Sequence, residues 1–157
     1  MNQPKTVTNL VLTVGNSMMG DDGAGPLLAE RMTEQPLADW QVIDGGSAPE
    51  NVVHRIRAMQ PSRLIIVDAA DMELAPGEIR IIDPDRIAEM FIMSTHNMPL
   101  NFLIDQLKED IPEVVFVGIQ PTLVAFYFPM TDIVKHAVET LYQQLPQWQG
   151  DGGFAHL

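Results

Sequence analysis

The stretch Arg63-Leu-Ile-Ile-Val-Asp68 limits the fold more than any other part of the chain. Its interior is apolar without interruption and rich in β-branched residues. A strand with one face in water alternates apolar and polar positions. An unbroken apolar run needs cover on both faces, the condition of a central strand in a parallel sheet. Asn9-Leu-Val-Leu-Thr-Val14 and Val114-Val-Phe-Val-Gly-Ile119 are runs of the same kind. Trp40-Gln-Val-Ile-Asp44 reads as a further strand ended by Gly45-Gly46, and residues 77–83 alternate as an edge strand does. Helical spacing fills the gaps. From Pro26 onward Leu27, Leu28, Arg31 and Met32 follow, and residues 49–59 carry Val52, Val53 and Ile56 on one face. Residues 84–91 read as a short helix, and Leu100, Leu103, Ile104 and Leu107 recur at i, i+3, i+4 and i+7. A last helix, 131–145, turns Val134, Val138, Leu141 and Leu145 inward. Strands alternating with helices predict an α/β fold, a three-layer α/β/α sandwich around a mostly parallel twisted sheet of about five strands. The length, 157 residues, predicts one domain over residues 1–157, with a flexible glycine-rich end at 147–157.

The net charge of −12 repels phosphate backbones and anionic lipid, which argues against nucleic acid and membranes as partners. The chain has no cysteine, so disulfides, thiolate metal ligands and a cysteine nucleophile are excluded. Any metal it touches must meet imidazole and carboxylate. No export signal or transmembrane run is legible, so the expected compartment is the cytoplasm, and a monomer is the default for a small chain with one core.

Ligands of open α/β sheets lie beyond the carboxyl ends of the strands. Asp22, Asp44 and Asp68 all follow apolar strands, which predicts that they converge there. The first turn, residues 15–25, resembles a phosphate cradle in its glycines. Yet Lys5 is the only cation before Glu30, and Asp21 and Asp22 stand where a phosphate would sit. Adjacent carboxylates at a helix start suit a cation or a cap, and one of the two is expected to be structural. Asp68, at the tip of a central strand, is expected near solvent with apolar walls behind it, a setting for a ligand, acid or base, or for a hydrogen-bonded turn. His96 lies in the polar loop Ser94-Thr-His-Asn97, as ligand, base or helix cap. His54 and His136 read as surface residues of helices. Two carboxylates and an imidazole suit a divalent ion with open positions, such as nickel or zinc.

The ordered set Gly15-Asn16, Asp21-Asp22-Gly23-x-Gly25, Asp44-Gly45-Gly46, Asp68-Ala69 and His96 resembles the hydrogenase maturation proteases over nearly the whole chain. Gly45-Gly-Ser-Ala-Pro-Glu50 and Thr95-His-Asn-Met-Pro-Leu100 are similar to the branch acting on hydrogenase 3, of the formate hydrogenlyase complex. The resemblance implies a peptidase domain that removes a C-terminal extension from the precursor of a nickel–iron hydrogenase large subunit after nickel insertion. It puts metal contact and catalysis on Asp22, Asp68 and His96, with nickel contributed by the substrate and no organic cofactor. Cleavage by nickel as Lewis acid or by a carboxylate as general base both stay open. The aspartates raise the expectation of a metal-binding aspartyl protease. The alternatives are a zinc-dependent hydrolase with a permanent metal and a non-enzymatic nickel-hydrogenase maturation chaperone. A nucleotide-binding fold is disfavoured by the acidic first turn.

Overall fold

The computed structural model describes residues 8–87 and 100–157. Strands β1 (Asn9–Thr13), β2 (Trp40–Asp44), β3 (Arg63–Ala69), β4 (Ile79–Ile81) and β5 (Glu113–Ile119) form one sheet in the order β2-β1-β3-β5-β4. All neighbours run parallel except β4, which pairs antiparallel with β5 at the edge. The α-helices are α1 (Ala24–Glu34), α2 (Val53–Met59), α3 (Pro84–Ile87), α4 (Leu100–Lys108) and α5 (Asp132–Gln144), with short 3-10 turns at Gly20–Gly23, Pro49–Val52 and Leu145–Gln147. This is the expected α/β architecture.

Strand pleating sorts the core into two layers, because successive side chains point to opposite faces. Leu10, Leu12, Leu64, Ile66 and Phe116 face one side, where Ile56 of α2, Ile87 of α3 and Leu103, Ile104 and Leu107 of α4 cover them. Val11, Ile65, Val67, Val117 and Ile119 face the other, under Leu28 and Met32 of α1 and Val134, Val138 and Leu141 of α5. Leu64, Ile65, Ile66 and Val67 are all fully buried, as a doubly covered strand requires. Each such side chain contributes about 1.5–3 kcal/mol relative to exposure. Arg31 clasps α1 to α5 by donating to both carboxylate oxygens of Glu139 at 2.9 and 3.1 Å.

One expectation needs correction. The strand predicted at 63–68 runs one residue further: Ala69 pairs with Ile119, and Ala70 N–H donates to Ile119 O. Asp68 therefore lies inside the ladder opposite Gly118 rather than at its tip, and it is fully buried. The chain end is hydrogen-bonded to the sheet. Ile81 N–H donates to Ala155 O, and Leu157 N–H donates to Ile81 O, so the end adds itself beside β4 and covers an otherwise open sheet edge. The buried Trp148 ring meets Phe154 at a tilt of 44°, with centroids 6.1 Å apart, and its indole N–H donates to Gly150 O. Gly152 fits against this ring at φ +68°, and a Cβ there would meet ring carbon at 2.4 Å. A run of glycines reads as flexibility, yet here it lets the chain turn tightly around an aromatic ring. Gly152→Val is expected to cost roughly 2–3 kcal/mol, through left-handed strain and overpacking. Urea denaturation of the variant checks this.

Candidate active site

The chain leaves β1 for β2 on one side and later enters β3 on the other. The strand order thus reverses between β1 and β3, where the carboxyl ends open a crevice for ligands. Two buried aspartates arrive there from the neighbouring strands.

The first comes from the turn after β1. Val14 N–H donates to Val67 O and Gly15 N–H to Gly46 O, extending the ladder past β1 before the chain bends back. Gly15 sits at φ +139°, and a Cβ there would lie 2.1 Å from Asp22 O. Gly25 approaches β1 so closely that its Cβ would lie 2.3 Å from Val14 O, so the start of α1 packs directly on the strand end. Between them a 3-10 turn, Gly20–Gly23, packs against β3 and holds both acidic residues in its interior. Helix α1 therefore begins before Pro26.

The two carboxylates differ in the partners they meet. Asp21 is fully buried and engaged on both oxygens. Oδ2 accepts the N–H groups of Thr122 and Leu123 at 2.8 and 3.1 Å. Oδ1 accepts Thr131 N–H at 2.7 Å, and the Thr131 hydroxyl lies 3.0 and 2.9 Å from the two oxygens. The bland expectation was that one aspartate caps its own helix. Asp21 instead ties the first turn to the loop after β5 and to the residue that starts α5. Asp22 is also buried, and its Oδ2 accepts Asn16 N–H at 2.9 Å, within the turn itself.

Asp68 supplies the second carboxylate. It shares the face of Leu64 and Ile66, the side covered by α4. Gly118 beside it leaves room for Ile82, Ala70 and Met72, since a Cβ there would come within 2.6 Å of Ile82 Cδ1. The loop that follows β3 is held down by Gln120, whose carbonyl oxygen accepts Met72 N–H and Leu74 N–H at 2.7 and 3.3 Å. Its amide donates to Asp71 Oδ1 at 3.2 Å. Nothing in the spacing marked Gln120 as a positioning residue; a polar side chain directly after an apolar strand was its only signal.

The other candidates separate. Asp44 is exposed and closes its own turn, accepting the Thr13 hydroxyl at 3.2 Å and Gly46 N–H at 2.9 Å. It is therefore a turn residue, not a further buried carboxylate. His54 and His136 are exposed on helices, as expected. His96, its loop and the end of the helix predicted over 84–91 lie outside the described residues. Among the described residues no group of three or more His, Asp or Glu is placed to hold a metal ion. No helix there is long and apolar enough to cross a membrane.

Comparison with known proteins agrees with this architecture. The profile of the hydrogenase maturation protease family matches residues 26–148. The hydrogenase 3 maturation protease of Escherichia coli K12 is 68% identical over 151 residues, spanning 96% of this chain and 97% of that protein. The solution structure of the endopeptidase HycI from Escherichia coli superposes with a TM-score of 0.89 at 69% identity, covering 96% of each chain. A NiFe hydrogenase maturation protease, HycI from Thermococcus kodakarensis, superposes with a TM-score of 0.77 at 28% identity, covering 90% of this chain and 91% of that one. These relatives overturn the expectation of an aspartyl protease with a metal centre of its own. They form an endopeptidase family of their own, and the described carboxylates make no metal centre. With a family match over most of its length and a near full-length relative at high identity, the chain belongs to the hydrogenase maturation protease family and is an endopeptidase.

Proposed function

We propose that this endopeptidase removes the C-terminal extension from the nickel-loaded precursor of a nickel–iron hydrogenase large subunit, that of hydrogenase 3. The observation that carries the reading is the 68% identity to the Escherichia coli hydrogenase 3 maturation protease over 96% of the chain. Asp22, Asp68 and His96 contact the nickel ion, which belongs to the substrate. Two buried aspartates at the switch point of the sheet support this, since carboxylates there have low-dielectric walls and few competing waters. The donor chemistry supports it as well. The protein has no cysteine, so it offers nickel only oxygen and imidazole. Such ligands compete poorly with thiolates for a soft site, so the protease inspects the ion without removing it. We infer that the reaction takes place in the cytoplasm.

The test is a cleavage assay on purified precursor, with and without nickel, read by mass spectrometry. Nickel-loaded precursor is expected to lose a C-terminal peptide over many turnovers per protease. Nickel-free precursor is expected to stay intact even with protease in excess. Equal cleavage of both forms rules out metal recognition. A tight complex without any mass change would instead identify a maturation chaperone.

A further inference from the structure

The loop between β5 and α5 carries a cluster of side chains that the cleavage chemistry does not use. Tyr127 is 75% exposed, Phe128 55%, Phe126 54% and Leu123 38%, and Met18 of the first turn joins them at 45%. Clusters of this kind on a soluble protein mark interaction sites more often than chance exposure does. The loop is fixed rather than loose. Tyr127 N–H donates to Met18 O at 2.8 Å, Phe128 N–H donates to Ala125 O, and the Phe126 and Tyr127 rings stand 4.1 Å apart. Tyr127 adopts φ +64°, a left-handed conformation that is costly for a residue with a Cβ. That conformation is held while its ring stands out in water, so stability alone does not account for it.

We propose that Leu123, Phe126, Tyr127, Phe128 and Met18 form the surface on which the folded body of the protein substrate docks, through an uncharged, apolar patch of its own. The proposal rests on the substrate reading given above. Continuity with the candidate active site identifies the occupant. Asp21 bonds Thr122, Leu123 and Thr131 at both ends of the loop, and it is the immediate neighbour of Asp22. The first turn that carries Asp22 touches the strip directly, through Tyr127 N–H to Met18 O and Asp21 N–H to Leu123 O, so a protein engaged at that turn has this strip beside it. Specific interfaces cover about 800 Å² per partner, and a buried aromatic residue supplies about 150–250 Å², so three rings make up a large share of such a contact. Aromatic residues and methionine are also the types enriched in interface cores. Residues 121–131 contain no charged side chain, within a protein of net charge −12. The contact is therefore apolar and insensitive to salt, and an anionic lipid surface is a poor occupant.

The test uses nickel-loaded large-subunit precursor, with binding measured by fluorescence anisotropy and cleavage by steady-state kinetics. The triple variant Phe126→Ser/Tyr127→Ser/Phe128→Ser is expected to raise KM about tenfold or more and to leave kcat unchanged. Raising salt is expected to leave the wild-type KM within about twofold. Tyr127→Gly separates docking from folding. Glycine accepts the left-handed backbone, so Tm is expected to stay level or rise while KM increases, and Tyr127→Phe is expected to restore KM. An unchanged KM in the triple variant, with normal cleavage by the wild type, overturns the docking surface and leaves the substrate reading standing. So does concentration-dependent dimerisation of the wild type that the triple variant abolishes, or a loss confined to kcat. If the wild type neither binds nor cuts the precursor, both readings fall.

Discussion

Asp68→Asn is expected to lower precursor processing by at least about a thousandfold, the scale of removing a group that acts on the reacting centre. The substitution keeps the shape of a fully buried side chain and removes its charge. Its position in the ladder opposite Gly118 keeps the backbone in place whatever the side chain carries. The structural cost is therefore small, about 1–2 kcal/mol, and thermal melting should show a folded protein. His96→Ala is expected to be equally inactive under the same reading. Asp44→Asn is the control. That exposed residue closes a turn at the end of β2 and should change the rate by no more than about twofold. Mass spectrometry of nickel-loaded precursor over a time course separates these outcomes. Normal processing by Asp68→Asn removes it from the reaction and takes the assigned trio with it.

Asp21→Ala is expected to cause a large loss of stability. The alanine leaves the N–H groups of Thr122, Leu123 and Thr131 without their acceptor, together with the Thr131 hydroxyl. Hydrogen bonds to a charged group contribute about 1.5–3 kcal/mol each, and relaxation of the loop toward water recovers part of the sum. A net cost of about 3–5 kcal/mol follows, or a fall in Tm of roughly 10 °C for a domain of this size. Asp21→Asn retains one oxygen and should cost less than half of that. Differential scanning calorimetry measures both. Hydrogen exchange should show lost protection at Leu123 and Thr131 first, because these amides answer directly to the carboxylate. An Asp21→Ala variant as stable as the wild type contradicts the tie between the first turn and the loop after β5.

Much of the fold was legible because local periodicity reports burial. The spacing of Leu100, Leu103, Ile104 and Leu107 named the buried face of α4 residue by residue, and all four are buried. The unbroken run from Leu64 to Val67 likewise announced a strand covered on both faces. Features set by chain segments distant in sequence were not legible. The glycines near the C-terminus read as slack, whereas contact with Trp148 and with Ile81 turns them into a packed turn and an added edge. Asp68 read as a strand tip near solvent, but pairing of Ala69 with Ile119 carries the ladder past it and buries it.

The sequence by itself determined the alternation of strands and helices, the absence of thiolate chemistry and the positions of the acidic residues, since each depends on residue type and local spacing. Only the tertiary structure decided which aspartate ties the first turn to the rest of the fold. Asp21 and Asp22 are chemically identical neighbours, and no local pattern distinguishes them. Asp21 is occupied by donors a hundred residues away, at Thr122, Leu123 and Thr131, while the Asp22 contact to Asn16 stays within the turn. The same long-range closure brings the uncharged aromatic loop beside the two buried carboxylates. Hydrogen-bond partners are allotted by the folded chain, so the structural role of Asp21 is set there.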